Sequence, residues 1–330
     1  MDADTATLLR TSLAKVLSED TDRPLADRLA ELGWDEVVSD DAPTALQALF
    51  ETRGVTLSGA DALGPTLAWS IAGSVGRPGL AAAAVVWPAT LHPDRLSSRL
   101  EGDRLVVDGI TAAADLRPSI VVTAVVGAAP GPALAVIPAG SGWSRLALSG
   151  TDPAMALSRV ALTVPAAECQ WIEGDQAGAA WETATALARW AVAAELTAIG
   201  RQVIARAVEY TGQRHQYGRA IGTFQALQHR LAAAHVTVVG AANVVEEAAR
   251  SASPWVAVVA KALAGRAAEQ ACTQAQQSYG AIGFTWEHEF HRYLRRTYVL
   301  DWLFGDWRTL EREIGARLLE TGEVPTIGSL

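Results

Sequence analysis

The sequence has little cysteine: the 330-residue chain contains only Cys169 and Cys272. Two cysteines cannot build the dense disulfide framework that stabilises many small secreted proteins. The first residues, MDADTATLLR, also lack the basic region and the apolar stretch of a signal peptide. The sequence therefore predicts a cytoplasmic protein.

Long apolar runs and a positive net charge are missing as well. The longest apolar runs, such as GLAAAAVVWPA, fall short of the roughly 20 residues that a membrane-spanning helix needs. The chain has 27 basic and 36 acidic side chains, and its net charge of −9 argues against binding to nucleic acid. We expect neither a membrane nor a nucleic acid among its partners.

The sequence does contain enough apolar material for a packed core. Hydrophobic residues make up 50% of the chain and charged residues 19%, which predicts a globular protein of two or three domains. Residues 1–82 are predicted to form short helices, because their apolar residues recur at helical spacing. The first of these helices has one apolar face formed by Leu8, Leu9, Leu13, Val16 and Leu17.

The pattern changes twice along the chain. Residues 83–170 contain the β-branched runs RLVVDGI, SIVVTAVVG, PALAVIP and SRVALTVP, which predict an antiparallel β domain. Residues 171–330 return to helical spacing, and Ser253 and Pro254 are a typical N-cap and first-turn proline for a helix that extends to Gly280. The predicted fold class is mainly α with a central β domain and a C-terminal four-helix bundle.

Two segments of the last region resemble a known family. QRHQYGRAIGTFQALQH resembles the Arg-x-x-aromatic-Gly segment of acyl-CoA dehydrogenases, which ends in Gln. QQSYGAIGFTWEHEFHRYLRR resembles the family's later Gln-x-x-Gly-Gly-x-Gly-(Phe/Tyr) segment. The second segment is most similar to the actinobacterial branch that acts on steroid side-chain and other bulky CoA thioesters. The resemblance implies an N-terminal helical domain, a middle β domain and a C-terminal helical bundle.

The resemblance also implies a set of cofactor contacts. In the family, the first segment reaches the FAD of the neighbouring subunit, where its arginine binds the pyrophosphate as a bidentate donor. That role falls by position on Arg214, and Gly218 and Gly222 would allow the tight turns. Residues matched to the second segment would line adenine and ribose, although Ala281 replaces a glycine of the family. The implied cofactor-binding residues are Arg214, Gln216, Tyr217, Phe224, Gln225, Gln277, Gly280 and Ala281.

The catalytic positions depart from the family. Dehydrogenation of an acyl thioester needs a carboxylate base against the α-carbon of the substrate. Phe304 occupies the position of that base, and Ala188 occupies the position at which some relatives carry it instead. Asp306 and Arg308 replace a Thr and a Gln that touch the cofactor in the family. An Asp facing a pyrophosphate would be repelled, so we expect no standard FAD site at that end.

These departures favour a non-catalytic subunit of an α2β2 FAD-dependent acyl-CoA dehydrogenase. FAD would be shared with the partner, and the acyl-CoA would bind mainly to the catalytic partner subunit. Two alternatives stay open: a self-sufficient dehydrogenase whose base has moved to Glu195 or Glu182, and a non-enzymatic scaffold protein with the same fold. Both glutamates are more simply interpreted as parts of a solvated helix face.

Two further clusters near residue 290 have a structural interpretation. Arg292, Arg295 and Arg296 follow helical spacing, which predicts a solvated face, with contact to a CoA phosphate or a partner as the alternative. His288 and His291 lie three residues apart, and no convergence of other ligands is visible in the sequence. We therefore expect no metal site.

Overall fold

A computed structural model describes most of the chain. It covers residues 1–19, 21, 23–88, 97–113, 121–129, 131–138 and 144–322, with residues 3, 121–129, 131 and 132 described by their backbone. Contacts divide the chain into two compact units. The helical unit comprises Met1–Asp20, Leu32–Ser58 and Arg189–Leu330, and the sheet unit comprises Thr21–Glu31 and Gly59–Ala188.

The three predicted regions, 1–82, 83–170 and 171–330, follow changes of secondary structure along the chain. The two compact units instead group residues by their contacts in space, so that both units draw on several regions. The predicted domain boundaries stay a prediction.

The helices of the described chain account for both helical regions of the sequence. They are α1 Ala3–Leu17, α2 Leu25–Ala30, α3 Trp34–Thr56, α4 Leu63–Val75, α5 Asp175–Gln213, α6 Gln225–Ser251, α7 Pro254–Tyr279, α8 Phe290–Trp302 and α9 Trp307–Thr321. Helices α2 and α4 belong to the sheet unit, and the division between the units crosses α5. No helix of the described residues is long and apolar enough to cross a membrane.

The long helices begin and end as the sequence predicts. The hydroxyl of Ser253 accepts a hydrogen bond from the backbone N–H of Val256, and Pro254 opens α7. Gly280, with φ of 63°, ends that helix. Apolar residues recur at steps of three and four along α5 and α6. They are buried at Leu196, Ile199, Val203, Ala207, Leu231, Ala234, Val238, Ala241 and Val245, and half-buried at Leu227. On α1 the prediction is wrong for Leu8, which is 69% exposed.

Small residues allow the helices of the helical unit to cross closely. A Cβ at Gly200 would lie 2.9 Å from a methyl carbon of Val238, and a Cβ at Gly54 would lie 2.6 Å from the carbonyl oxygen of Glu195. The core between α5, α6 and α7 contains Ile204, Ala234, Val238, Ala241, Ala267 and Ala271. Substitution of either glycine would therefore force two helices apart.

The sheet unit contains a nine-stranded sheet. Its strands are β1 Ala84–Val85, β2 Trp87–Pro88, β3 Ser98–Glu101, β4 Arg104–Thr111, β5 Val121–Ala129, β6 Gly131–Ile137, β7 Ser144–Ala147, β8 Ser158–Pro165 and β9 Gln170–Glu173. The main path runs β7-β8-β4-β3-β5-β6-β9, with β1 on β5 and β2 on β4. Most pairs are antiparallel, as predicted, but β1 and β3 each pair with β5 in parallel.

Alternation sets the buried face of this sheet. Strands β4 and β8 pair from Arg104↔Pro165 to Thr111↔Ser158, and Val160, Leu162 and Val164 alternate with more exposed residues. The core cluster of the sheet is Val86, Leu105, Val107, Ala133, Ala135, Ile137, Val160, Leu162, Val164 and Cys169. The predicted fold class, helices followed by a mainly antiparallel sheet and by C-terminal helices, is confirmed.

Candidate functional site

The first family-like segment forms a tight β-hairpin between α5 and α6. Strands β10 (His215–Gln216) and β11 (Arg219–Ala220) pair antiparallel. Tyr217 and Gly218 form the turn, with φ of 54° and 78°. Two successive residues with positive φ are typical of the type I′ turn, whose twist suits a two-residue hairpin. Glycine fits this conformation without strain, whereas tyrosine adopts it rarely.

Arg214 lies at the base of this hairpin. Its N–H donates to the carbonyl oxygen of Tyr210 and its own carbonyl accepts from the N–H of Ile221, both at 2.8 Å. The backbone at Arg214 is therefore fixed from both sides. Its side chain is exposed, and within the described part of the chain the guanidinium has no hydrogen-bond or ion-pair partner.

Aromatic and amide side chains lie on the same hairpin and just after it. Tyr217 is 91% exposed, and its ring lies edge-on to that of Phe224 with the centroids 6.2 Å apart. The guanidinium carbon of Arg219 lies over the ring of Phe224, 4.2 Å from its centroid. Gln216 and Gln225 are also exposed. The predicted set thus forms one exposed surface of stacking and hydrogen-bonding groups.

The two glycines that were both predicted to allow tight turns have different roles. Gly218 is needed for its positive φ, since a Cβ there would meet nothing within 4 Å. Gly222 has an ordinary backbone, but a Cβ there would lie 3.1 Å from the carbonyl oxygen of Thr211. The hairpin therefore needs one glycine for conformation and one for space.

The second family-like segment lies at the end of α7, and aromatic contacts join it to the end of α5. The rings of Tyr210 and Tyr279 meet edge to face with their centroids 5.1 Å apart. Gln277, Gly280 and Ala281 are exposed around the buried Tyr279. The structure therefore brings the two predicted segments to the same end of the helical unit.

The predicted base position is a turn clamped by buried cations. Phe304 and Gly305 both have positive φ, 59° and 103°. The Nε of Arg189 donates to the carbonyl oxygen of Phe304 at 3.1 Å, and the Nζ of Lys261 donates to that of Gly305 at 3.0 Å. A phenyl ring cannot accept a proton. The alternative base position, Ala188, is a fully buried methyl group.

Lys261 is the more deeply buried of these two cations. It is fully buried and also donates to the carbonyl oxygen of Asp301 at 2.9 Å. Burial lowers the pKa of Lys261 to about 8, with the Asp301 carboxylate acting in the opposite direction. Burial likewise lowers the pKa of Arg189 and raises that of Asp301. The sequence analysis missed Lys261, although a lysine within the apolar face of α7 is an unusual residue to bury.

Asp306 and Arg308 have local structural partners. The Asp306 carboxylate caps α9, accepting from the N–H groups of Arg308 and Thr309 at 3.1 and 3.2 Å. Arg308 donates to both carboxylate oxygens of Glu269, at 3.1 and 3.3 Å. Both side chains therefore stabilise the beginning of α9.

A buried ion cluster corrects two interpretations of the sequence. Glu195 is fully buried and accepts from the guanidinium groups of both Arg53 and Arg296. Arg296 also donates to the carbonyl oxygens of Leu57 and Ser58, at 3.1 and 2.9 Å. The prediction of solvated faces for Arg296 and Glu195 is wrong, because both side chains are buried and ion-paired in the core.

The remaining charged candidates are consistent with surface positions. Arg292 is exposed, and Arg295 lies over the exposed ring of Trp286, 5.3 Å from its centroid. Glu182 is exposed on α5, as a solvated helix face predicts. Among the described residues, no group of three or more His, Cys, Asp or Glu side chains could hold a metal ion.

The residues present fit an FAD contact at the hairpin and not at the base turn. The hairpin offers an unpaired guanidinium and exposed rings and amides, which are the donors and stacking surfaces that a dinucleotide requires. At the base turn, the cations bind backbone carbonyls, and Asp306 adds a negative charge. A flavin site built from this chain alone would therefore lack donors at that end.

Comparison with known proteins finds a family match in the C-terminal part of the chain. The family model described as acyl-CoA dehydrogenase, C-terminal domain, matches residues 178–319. Acyl-CoA dehydrogenase IpdE2 of Mycobacterium tuberculosis is 35% identical over 39% of this chain and 41% of its own length. Acyl-CoA dehydrogenase FadE34 of the same organism is 30% identical over 71% of this chain and 35% of its own length. The chain thus spans less than half the length of these relatives.

Solved structures extend the likeness over the whole chain. A variant of the steroid ACAD Tcur3481-Tcur3483 has a TM-score of 0.75 at 20% identity, covering 97% of this chain and 99% of that chain. The ChsE4-ChsE5 complex from Mycobacterium tuberculosis has a TM-score of 0.75 at 18% identity, covering 99% of both chains. At these identities the structures show the fold alone. The family match thus covers residues 178–319, as an acyl-CoA dehydrogenase C-terminal domain, and the likeness in fold covers nearly the whole chain.

Proposed function

We propose that the chain is the non-catalytic subunit of a heteromeric FAD-dependent acyl-CoA dehydrogenase and completes the flavin site of its partner. The partner would supply the carboxylate base and most of the flavin pocket. This chain would supply the hairpin that carries Arg214. The assembly would contain two copies of each chain and would act on a bulky CoA thioester, such as one with a steroid-derived acyl group.

The unpaired Arg214 guanidinium on an otherwise fixed backbone is the observation that carries this proposal. Two other exposed arginines of the helical unit, Arg206 and Arg308, have carboxylate partners. Arg214 has none among the described residues, although the hydrogen bonds of its backbone hold it at the base of the hairpin. A positioned donor without a partner suits an anionic ligand that comes from another chain.

Local charge supports the same assignment. The chain as a whole has a net charge of −9, yet residues 210–245 contain three arginines, three histidines and no Asp or Glu. The same stretch includes the start of α6, where Phe224 provides no side-chain cap. The free N–H groups and the helix dipole add positive potential there. This surface therefore favours a pyrophosphate over a neutral ligand.

The empty base positions support the non-catalytic assignment. Removal of the α-proton requires a group that can accept it, and neither Phe304 nor Ala188 can. Glu195, one of the two relocated bases considered for a self-sufficient enzyme, is buried between two guanidinium groups that hold both of its oxygens. A carboxylate in that environment is not available to a substrate. Glu182 is the remaining candidate of that alternative.

The relatives support the partner and the substrate class. One similar structure is that of a steroid ACAD, and another is that of a complex of two proteins, ChsE4 and ChsE5. Both share the fold over nearly the whole chain. We propose by analogy that this chain also pairs with a second acyl-CoA dehydrogenase homologue.

Co-expression tests the proposal. The chain is produced alone and together with an acyl-CoA dehydrogenase homologue that is encoded next to it in the genome and carries a Glu base. Flavin content and oligomer mass are then measured for both preparations. We expect about one FAD for each pair of unlike chains in the complex and no stoichiometric FAD on the chain alone. A well-behaved homotetramer with one FAD per subunit and activity on an acyl-CoA would contradict the proposal.

The same material separates the alternatives. A general base contributes roughly 10²- to 10⁴-fold to turnover, so a loss of that size in Glu182→Gln would favour the self-sufficient enzyme. The proposal expects a change within a few fold. A stable complex that contains no flavin at all would favour the scaffold protein.

A further inference from the structure

Helix α6 has apolar residues on two opposite faces. Its inner face is buried and packs against α5 and α7. Its outer face consists of six exposed residues at steps of four and three, Gln225, His229, Ala232, Val236, Val239 and Asn243. Residues 231–245 contain no Asp, Glu, Lys or Arg. A helix that is apolar on both sides is typical of one that is buried on both sides.

The middle of the outer face combines exposed valines with small residues. Val236 is 68% exposed and Val239 is 40% exposed. Gly240 lies beside them, and a Cβ there would meet nothing within 4 Å among the described residues. The chain itself needs this glycine neither for space nor for a positive φ, although glycine weakens a helix relative to alanine. Small side chains at this point leave room for another helix to approach closely.

The outer face begins at the flavin contact proposed above. Gln225 is its first residue and also one of the residues expected to contact FAD. The hairpin is tied to the same end of the helix, because the side-chain amide of Gln228 donates to the carbonyl oxygen of Gly222 at 2.9 Å. The hairpin and the first turns of α6 therefore keep a fixed relative orientation. A subunit whose flavin meets Arg214 and Gln225 would lie against the outer face.

We propose that the outer face of α6 packs against a helix of the subunit that holds the flavin. The inference rests on the proposed function and adds the contact by which the two chains recognise each other. Residues 210–245 contain three arginines, three histidines and no Asp or Glu. The partner helix should therefore present small apolar residues at its centre and acidic residues near Arg230, which is exposed.

A second copy of this chain fits the outer face less well. It would bring the same basic residues to the contact and no flavin pocket of its own to Gln225. The acidic residues at the far end of α6, Glu246 and Glu247, accept hydrogen bonds from Arg250 of the same helix. They are thus already paired and less suited to bind Arg230 of another copy.

Val236→Lys tests the contact in the complex with the homologue that carries a Glu base. The dissociation constant of the co-purified assembly is measured by mass photometry over a dilution series. We expect it to rise at least about thirtyfold, because a charge enters the centre of an apolar interface. Leu8→Lys is the matched control, since Leu8 is 69% exposed on α1. It should change the dissociation constant less than twofold.

Gly240→Leu tests the close approach of a helix without adding a charge. The free chain has space for the leucine, so its melting temperature, measured by circular dichroism, should not fall. The complex should weaken at least about tenfold, because the side chain would occupy the space of the partner helix. A loss of affinity together with an undiminished melting temperature separates an interface from a role in folding.

The outcomes distinguish this inference from the proposed function. If a complex with FAD forms and both α6 variants bind the partner as wild type does, the α6 contact is wrong and the proposed function stands. If no complex with FAD forms, both fail. If the isolated chain is a dimer that Val236→Lys dissociates, the outer face binds a second copy and the inference is wrong.

Discussion

Two aromatic–glycine pairs in the helical unit have similar backbones and opposite surroundings. Tyr217–Gly218 and Phe304–Gly305 both place two successive residues at positive φ. The carbonyls of the second pair are held by Arg189 and Lys261 inside the protein. The first pair forms the tip of an exposed hairpin, with Tyr217 at 91% exposure.

The Phe304–Gly305 turn is stabilised by side chains of the same chain, whereas the side chain at the tip of the hairpin, Tyr217, is exposed. A strained backbone persists only where its surroundings determine it. At Phe304 the surroundings are buried cations of the same chain, so the turn keeps its shape although its side chain cannot act as a base. At Tyr217 the hairpin ladder fixes the backbone, and the exposed side chains around it are the ones proposed to contact a partner's flavin.

Removal of the buried cation should have the largest effect. Lys261→Met leaves the Asp301 carboxylate without its counter-charge and the carbonyl oxygen of Gly305 without its hydrogen-bond donor. Loss of one partner of a buried ion pair costs about 3–5 kcal/mol. We expect a decrease of that size in the free energy of unfolding, measured in denaturant.

Lys15→Met is the matched control, since Lys15 is exposed on α1. It should change the free energy of unfolding by less than about 0.5 kcal/mol. Equal free energies of unfolding for the Lys261 and Lys15 variants would show that the Phe304 turn does not depend on the hydrogen bonds of Lys261.

Removal of the exposed cation should act on the ligand and not on the fold. Arg214→Ala should weaken flavin retention in the complex by about 1.5–3 kcal/mol, the value for a hydrogen bond to a charged group. The measurement is flavin content during dialysis of the co-purified assembly. The free energy of unfolding of the isolated chain should stay within about 0.5 kcal/mol.

Arg77→Ala is the control for loss of one exposed positive charge. Arg77 is exposed in the sheet unit and has no side-chain partner among the described residues. Its substitution should leave flavin content unchanged. If both variants retain flavin equally well, Arg214 is not part of the flavin site.

A second buried group on α7 makes the interior sensitive to alkaline pH. Burial raises the pKa of Cys272 to about 12, from its ordinary value near 9. The unfolded chain loses this proton first, so stability that is present below pH 9 is lost as the pH rises towards 12. Between these values the free energy of unfolding should fall by up to about 1.4 kcal/mol per pH unit.

Cys272→Ala removes this contribution, so the difference between wild type and variant isolates it from other titrating groups. Denaturant unfolding at a series of pH values from neutral to alkaline measures the two slopes. Identical slopes would mean that the thiol is not buried in solution.

Helical and strand periodicity made most of the fold predictable from the sequence. The buried face of α6 and the cap at Ser253 are local patterns, and both are confirmed. The alternating run at Ser158–Pro165 is likewise a strand with one buried face. The parallel pairing of β1 and β3 with β5 was not predictable, because it depends on which short strands meet in space.

The candidate site was also predictable only where its residues are contiguous in the sequence. The hairpin residues could be named from a contiguous motif, and the structure brings that motif to the end of α7 that carries the second one. The buried cluster of Glu195 with Arg53 and Arg296 joins residues 142 and 101 positions apart. No local pattern reveals such partners. The single carboxylate within the apolar run AVAAELTAIG was the signal that could have indicated it.

The smallest effect should come from the residue at the tip of the hairpin. Tyr217→Asn places Asn-Gly in a type I′ turn, the favoured pair for this geometry. The gain in backbone conformation is offset by the loss of the edge contact between Tyr217 and Phe224, which is worth about 0.5–1.5 kcal/mol. The free energy of unfolding of the isolated chain should therefore change by less than about 0.5 kcal/mol. Flavin retention in the complex should still fall, because the ring proposed to contact the ligand is gone. Denaturant unfolding and flavin content are measured on the same preparations. Destabilisation of the isolated chain by more than about 1 kcal/mol would show that the Tyr217 ring stabilises its own hairpin, and the contrast with Phe304 would fail.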